Sequence, residues 1–319
     1  VEASRNFANK LWNATKFVLI NKTSNNNYSL NESDENNLEL CDKWILSKLN
    51  QVNRKVASLL KEYKLGESAK LIYEFTWNDF CDWYVEFAKQ RFNNKEINNR
   101  QISEKVLIKV LNDILVMIHP FMPHITEELW HVLQLKPDKE LLSLQKWPTQ
   151  ENKFVDNKLD NSFQQLFEII RLIRNLRAEL GLKPSEKVPV YLISDNDELI
   201  DFLKTLVDDI QTLTKSSEVF IFKTNAVDKK EFAKSFSGII SDLEVYLPFQ
   251  DFVNIDALKE RLNKDLKKVT IELDNLNKRL SNKNFVDKAP KDIVDECRFK
   301  FKEGSLQMER ITKKLELLN

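Results

Sequence analysis

The chain has 319 residues, 42% hydrophobic and 31% charged, and its 49 basic and 49 acidic residues cancel to a formal charge of zero; it can bury real cores in two or three units. No apolar run approaches the ~20 residues that span a bilayer, and Val1-Glu2-Ala3-Ser4-Arg5 is no signal peptide. Cys41, Cys81 and Cys297 lack any Cys-x-x-Cys pairing, which excludes a disulfide framework and a cysteine zinc site and leaves a soluble, cytoplasmic protein as the expectation.

Residues 1–150 read as almost wholly helical, with helices predicted over 4–20, 41–62, 68–92, 98–118 and 125–132. The stretch 21–37, rich in Asn, Ser, Asp and Glu, is expected to be a mobile loop. At His119-Pro120-Phe121-Met122-Pro123-His124 the two prolines make a corner, because neither donates a backbone hydrogen bond and each restricts its predecessor. Thr126 then falls near the start of the last helix.

In the first helix Asn6, Lys10, Asn13 and Phe17 form one polar face that ends in a ring, beside a core stripe of Phe7, Leu11 and Val18. A cation, amides and an exposed ring suit single-stranded RNA, in which a phosphate is neutralised, base edges are hydrogen-bonded and a base stacks. An ordinary solvated helix surface shows the same pattern, and both readings stand at this point. Further on, Tyr73, Trp77, Phe80, Tyr84 and Phe87 recur at the spacing of a helix core. Asp79, Asp82 and Glu86 take another side, where they can line a groove.

Residues 151–252 change character. A helix over 155–180 ends at Gly181, a left-handed cap followed by Pro184. Alternation in Val188, Val190 and Leu192, a helix from about 195 to 213, and strands at 218–222 and 243–247 define a small α+β unit with a short antiparallel sheet. Arg171, Arg174 and Arg177 recur beside Ile170, Ile173 and Leu176, and either face RNA or brace the bundle.

Residues 253–319 are predicted to form an antiparallel coiled-coil hairpin. Ile255, Leu258, Leu262, Leu266, Val269, Leu273, Leu276 and Leu280 make one narrow stripe. After a breaker segment at 283–290, Ile293, Cys297, Phe301, Met308, Ile311, Leu315 and Leu318 answer it, with a weak spot at Gly304 and Ser305. Each helix would run about 42 Å at ~1.5 Å per residue. The hairpin is also the basic region, with 16 Lys and Arg against 12 Asp and Glu, compared with 20 to 19 for residues 1–150 and 13 to 18 for 151–255. Charge of this kind serves solvation or a polyanionic partner.

Catalytic signatures are missing from this stretch. Gly66, Gly181, Gly238 and Gly304 are too dispersed for a phosphate-cradling loop or a dinucleotide fingerprint. His119, His124 and His131 lack the i, i+4 pairing of a zincin and read as packing or surface residues, with no metal site expected. Cys41 and Cys81 read as small core residues.

Four segments carry a family resemblance: Ser4-Arg5-Asn6-Phe7-Ala8-Asn9-Lys10-Leu11-Trp12-Asn13-Ala14, Phe80-Cys81-Asp82-Trp83-Tyr84, the corner from His119 through Trp130, and Ile173-Arg174-Asn175-Leu176-Arg177-Ala178-Glu179. They resemble the C-terminal part of valyl-tRNA synthetases. The first three recur loosely in the class I enzymes for isoleucine, leucine and methionine. The hairpin turn Leu280-Ser281-Asn282-Lys283-Asn284-Phe285-Val286-Asp287-Lys288-Ala289-Pro290 is more specific to the valine family, and the isoleucine enzyme's cysteine-rich zinc module has no counterpart here.

The resemblance implies a mainly α fold: a helical anticodon-binding bundle over 1–150, the α+β unit over 151–252, and a coiled-coil arm over 253–319 that touches the outer corner of tRNA. It implies that Lys10, Asn13, Phe17, Val85 and Glu86 bind the anticodon. At the tRNA elbow the implied cations are Lys259, Arg261, Lys264, Lys267, Lys268, Lys278, Arg279, Lys283 and Lys288, gripping phosphates without reading sequence. The expected partner is tRNA(Val), with no DNA and no membrane, and the chain is expected to be a monomer. The family's His-Ile-Gly-His and Lys-Met-Ser-Lys-Ser signatures are absent, and Thr214-Lys215-Ser216-Ser217 is a superficial echo of the second. Val1 therefore looks like the start of a fragment cut downstream of the catalytic domain. ATP and magnesium belong to that domain, no cofactor is expected in this fragment, and alone it should neither adenylate valine nor edit threonine. The alternatives are the tail of another class I synthetase and a non-catalytic helical protein that docks a partner.

Overall fold

The computed structural model describes residues 2–23, 28–93, 97–133, 140–249 and 254–318. They fall into two compact units, Val1–Gln165 and Leu166–Asn319. The expected boundary at 252/253 lies outside the described residues.

The first unit is a helical bundle. Helix α1 (Glu2–Asn21) buries Phe7, Leu11, Ala14 and Val18 and exposes Trp12, Leu19 and Ile20. A short α2 (Glu32–Asn36) stands within the stretch predicted as loop. Asn31 caps it by accepting from the Asp34 N–H, and the Asp34 carboxylate accepts in return from the Asn31 N–H, each at 2.9 Å; this reciprocal box satisfies two otherwise orphaned donors. Asp34 also pairs with Lys105 at 2.7 Å. Residues 24–27 of that stretch lie outside the described residues.

Helix α3 (Leu40–Lys61) is the bundle's spine, burying Trp44, Ile45, Leu49, Val52 and Val56. The next helical run is continuous from Leu65 to Asn93 but not uniform: α4 (Leu65–Glu74) and α5 (Val85–Asn93) flank a stretch, Phe75–Tyr84, with π geometry. At its end the Val85 N–H donates to the Phe80 carbonyl, five residues back. Helix α6 (Ile97–Ile118) is buried along much of its length. The proline corner precedes α7 (Pro123–Val132), with Pro123 at the first turn, where a missing N–H costs nothing. Buried Thr126 donates to the Met122 carbonyl at 2.9 Å.

A buried polar network ties this bundle together. Arg91 pairs with Asp42 at 2.8 Å and Glu39 at 2.6 Å, donates to Ser103 Oγ at 2.9 Å, and lies against Cys41. The Tyr84 hydroxyl donates to the same Asp42 at 2.7 Å, and burial beside that carboxylate pushes its pKa well above the usual value. Residues of α3, of the π stretch, of α5 and of α6 thus share one charge cluster, whose members compensate each other's lost hydration.

Helix α8 (Asn157–Leu180) opens in the first unit and continues into the second. It ends as expected at Gly181, whose φ is +73°. The second unit holds a four-stranded sheet in the order β2-β1-β4-β3, built from β1 (Val190–Ser194), β2 (Val219–Phe222), β3 (Ser235–Ile240) and β4 (Leu243–Pro248). The mainly helical class stands. The sheet, however, is mixed: β1 pairs antiparallel with β4 and β4 with β3, while β1 and β2 are parallel. The cause is the helical crossover between β1 and β2, which returns the chain in its original direction. That crossover is two helices, α9 (Asp197–Thr205) and α10 (Val207–Thr214), broken at Leu206, where φ −120° and ψ 20° leave the helical region. Strand β3 escaped prediction because Ser235 and Phe236 are both buried and Gly238 interrupts the alternation. A Cβ at Gly238 would lie 2.6 Å from Leu172 Cδ1, so any larger residue there would push that leucine side chain aside.

The two long helices of the hairpin fall where predicted, but the seam of the second differs: Ile293 and Met308 are exposed, and Val294 takes the buried position beside Cys297. Helix α11 (Ile255–Ser281) and α13 (Lys291–Leu317) bury Leu258, Leu262, Val269, Leu273 and Leu276 with Val294, Cys297 and Ile311. The breaker segment contains a short helix α12 (Lys283–Lys288), capped by Asn282 and ended before Pro290. Helix α13 runs unbroken through Gly304, where a Cβ would lie 2.9 Å from Cδ2 of the seam residue Leu273.

Candidate nucleic-acid interface

The first candidate surface is where α1 meets the π stretch and α5. Lys10 Nζ reaches Asp82 Oδ1 at 2.5 Å and sits 3.8 Å from the centroid of the Trp77 ring. Trp77 and Asp82 are five residues apart, about 140° around a regular helix at 3.6 residues per turn, and would not share one cation. The π widening brings them to the same side. About two turns along α1, Phe17 is half-buried and meets Phe92 edge-to-face at 5.7 Å, with Lys89 Nζ 5.9 Å from its ring. Lys89 in turn pairs with Glu86 at 2.5 Å. Asn13 is exposed between these groups, and Asn6 is exposed one turn before Lys10.

The structure therefore places Lys10, Asn13, Phe17 and Glu86 on two packed elements, with ion pairs between and beside them. Val85 stands apart. It is 5% exposed and faces the core, so its side chain supports the backbone that presents Glu86. Sequence reasoning set Asp82 beside Glu86 but missed its bond to Lys10, and missed Trp77 and Lys89 as partners of this surface. A cation, a ring and a carboxylate that meet across two helices leave no periodic signal, and the π geometry defeats the 3.6 count.

The arm is the second candidate. Among its nine named cations, Lys264 pairs with Glu260 at 2.8 Å and Lys268 with Asp265 at 3.9 Å, both on the solvent side of α11. Lys259, Lys267, Lys278, Arg279, Lys283 and Lys288 have no carboxylate in salt-bridge range among the described residues, and all but half-buried Lys259 are exposed. Arg261 behaves differently, donating to the carbonyls of Ala178 at 3.2 Å and Glu179 at 2.5 Å.

Two of the three arginines of α8, Arg174 and Arg177, act as braces, while Arg171 is exposed. Arg174 donates to the Leu213 carbonyl at 3.0 Å, and buried Arg177 to the carbonyls of Lys183 at 3.3 Å and Glu186 at 2.7 Å. Burial lowers the Arg177 pKa, opposed by Glu186. His119 meets Thr126 Oγ1 at 2.8 Å, and His131 meets Glu127 at 3.1 Å while the same carboxylate accepts the Leu142 N–H. Cys41, Cys81 and Cys297 are buried, and burial pushes the Cys81 thiol up to about 12. Thr214-Lys215-Ser216-Ser217 forms the C-terminal cap of α10, with Lys215 in the left-handed conformation. Among the described residues no group of three or more His, Cys, Asp and Glu is arranged to hold a metal, and no helix is long and apolar enough to cross a membrane.

The π stretch and α5 of the first surface, and the whole arm, lie in segments with known counterparts; α1, with Lys10, Asn13 and Phe17, precedes the first of them. Residues 42–192 match the anticodon-binding domain of tRNA ligase, and residues 254–319 match the valyl tRNA synthetase tRNA binding arm. An anticodon-binding bundle joined in one chain to such an arm places the molecule among the aminoacyl-tRNA synthetases. Similarity over the full chain narrows this further. A valine–tRNA ligase of Prochlorococcus marinus subsp. pastoris is 75% identical over 100% of this chain and 35% of its own length. One from Synechocystis is 39% identical over 100% and 35%, and one from Petrotoga mobilis 34% identical over 99% and 35%. The chain belongs to the valine–tRNA ligase family, and spans about a third of the length of the curated relatives it matches.

Proposed function

We propose that this chain recognises tRNA(Val) at two places, as the anticodon-reading and elbow-gripping region of a valine–tRNA ligase. The observation that carries the reading is the pairing, in one chain, of the α1 and α5 face with a long helical arm whose exposed cations are mostly unpaired. On the first surface Lys10 neutralises a phosphate, exchanging part of its bond to Asp82 for it. Phe17 stacks on an anticodon-loop base and Asn13 hydrogen-bonds a base edge. Glu86 accepts from an exocyclic amine, which adenine and cytosine carry and which guanine lacks at its Watson–Crick oxygen. Valine anticodons share A and C at their second and third positions, which suits a carboxylate reader. Val85 contributes by fixing Glu86 in place.

On the arm, Lys259, Lys264, Lys267, Lys268, Lys278, Arg279, Lys283 and Lys288 hold phosphates and ribose at the tRNA elbow. Their affinity is electrostatic and salt-dependent. Two weak sites on one ligand reinforce each other, because the second contact becomes intramolecular. The chain acts as a cytoplasmic monomer and needs no cofactor for binding. Aminoacylation with ATP and magnesium belongs to the rest of the full-length enzyme. The test is a titration of the chain with anticodon stem-loops of valine and isoleucine tRNA. Preference for the valine stem-loop that disappears in Glu86→Ala supports the reading; equal binding of the two contradicts it.

A further inference from the structure

We propose that Arg261 is a positioning residue that sets the direction of the arm by clamping its base to the C-terminal end of α8, and that it does not contact RNA. Gly181, in the left-handed conformation, closes α8: its N–H bonds to the Ala178 carbonyl and the Leu182 N–H to the Arg177 carbonyl, each at 3.0 Å. This is the glycine-capped helix end that satisfies only some of the terminal carbonyls. The Arg261 guanidinium reaches the Glu179 carbonyl at 2.5 Å and shares that of Ala178 at 3.2 Å.

A second feature points the same way. A Cβ on residue 181 would lie 2.7 Å from Arg261 Nη1, so the glycine that caps α8 also leaves the space the guanidinium fills. The other helix of the arm holds the same spot from its far end in sequence. Lys314 pairs with the Glu179 carboxylate at 2.7 Å and lies 5.7 Å from the Phe236 ring of β3. Both helices of the hairpin are thus fastened, near their base, to one residue, Glu179, through its carbonyl and its carboxylate.

The lever is long. From Arg261 to the turn at Lys283 is about 33 Å at ~1.5 Å per residue, so a tilt of about 10° at the base displaces the tip by roughly 6 Å. That exceeds the reach of a phosphate hydrogen bond. A lysine is not an equivalent clamp: both carbonyl bonds come from Nη2, and an ammonium standing in its place would leave empty the space over Gly181 that Nη1 fills.

The test uses the whole chain with Arg261→Lys, Arg261→Ala and Gly181→Ala, and Lys278→Ala as the phosphate-contact control. Spin labels at Ser237→Cys in β3 and Asn284→Cys at the turn report the arm's direction, and titration with tRNA(Val) transcript over a range of salt reports binding. Arg261→Lys and Gly181→Ala are expected to broaden the label distance distribution and weaken binding several-fold with the salt slope unchanged. Lys278→Ala should lower that slope by ~0.7–0.9 and leave the distances alone. The proposal is overturned if Arg261→Lys matches the parent in both readouts while Arg261→Ala loses one phosphate's worth of slope, or if Gly181→Ala leaves the distance distribution unchanged. The affinity readout rests on the tRNA reading above; the distance readout does not, so failure of that reading is separable from failure of the clamp.

Discussion

In the bundle the charged groups of the candidate surface are already held by protein: Lys10 by Asp82 and Trp77, Lys89 by Glu86 and the Phe17 ring, and behind them Arg91 by Asp42 and Glu39. In the arm many cations stand exposed and unpaired among the described residues, and apart from Lys314 with Glu179 the pairs are between neighbours on one helix. The difference suits the two kinds of recognition proposed for these surfaces. A base must be met by groups fixed in direction, so the bundle surrounds its surface with a rigid, buried network. A phosphate backbone needs only positive charge within reach, so the arm carries flexible side chains on a thin core. The arm's direction then has to be fixed somewhere else, at its base.

The largest way to break this contrast is Arg91→Ala. Removing one member of a buried, hydrogen-bonded ion cluster is expected to cost about 3–5 kcal/mol, read as a lower midpoint in urea unfolding; a loss like that of a surface arginine would mean the network does not hold the bundle. Next comes Phe17→Ala, expected to weaken anticodon stem-loop binding by about 1–3 kcal/mol. Unchanged affinity would remove stacking from the account. On the arm, Lys278→Ala should weaken all tRNAs alike and lower the salt slope by ~0.7–0.9, with no change in discrimination. Loss of discrimination there would erase the division of labour between the two regions.

The smallest effects concern exposed pairs. Lys264→Ala should leave the unfolding midpoint unmoved, since its partner Glu260 is equally exposed. Glu244 gives a pH signature in the sheet. Hydrogen bonds from Lys229 and Tyr246 hold its pKa below the ordinary 4.5, so their contribution to stability is present above that value and is lost as pH falls through the lowered one. Lys229→Ala should therefore flatten the acid limb of the stability curve. An unaltered limb would show that this pair is not felt by the fold.

What could be read from sequence follows the same division. The arm was legible because its stripe is local: Leu258, Leu262, Val269, Leu273 and Leu276 announce a seam by spacing alone, and all five are buried. The bundle's helices were legible for the same reason. Strand β3 and the parallel pairing of β1 with β2 were not, because Gly238 breaks the alternation and strand direction depends on a crossover that spacing does not reveal. At the candidate sites the residue types were readable and their company was not. Nothing in the order of residues says that Trp77 and Asp82 share Lys10, that Val85 turns inward, or that Arg261 spends its charge on the end of α8.

The central claim is that two separate surfaces, one discriminating and one electrostatic, hold one tRNA. It is tested most directly by fluorescence anisotropy of valine and isoleucine tRNA transcripts with the 319-residue chain and with a version ending at residue 249, each at two salt concentrations. The account predicts preference for the valine transcript in both proteins, with the shorter one binding more weakly and with a shallower salt dependence. Equal affinity for the two transcripts, or an unchanged salt dependence after loss of the arm, would contradict it.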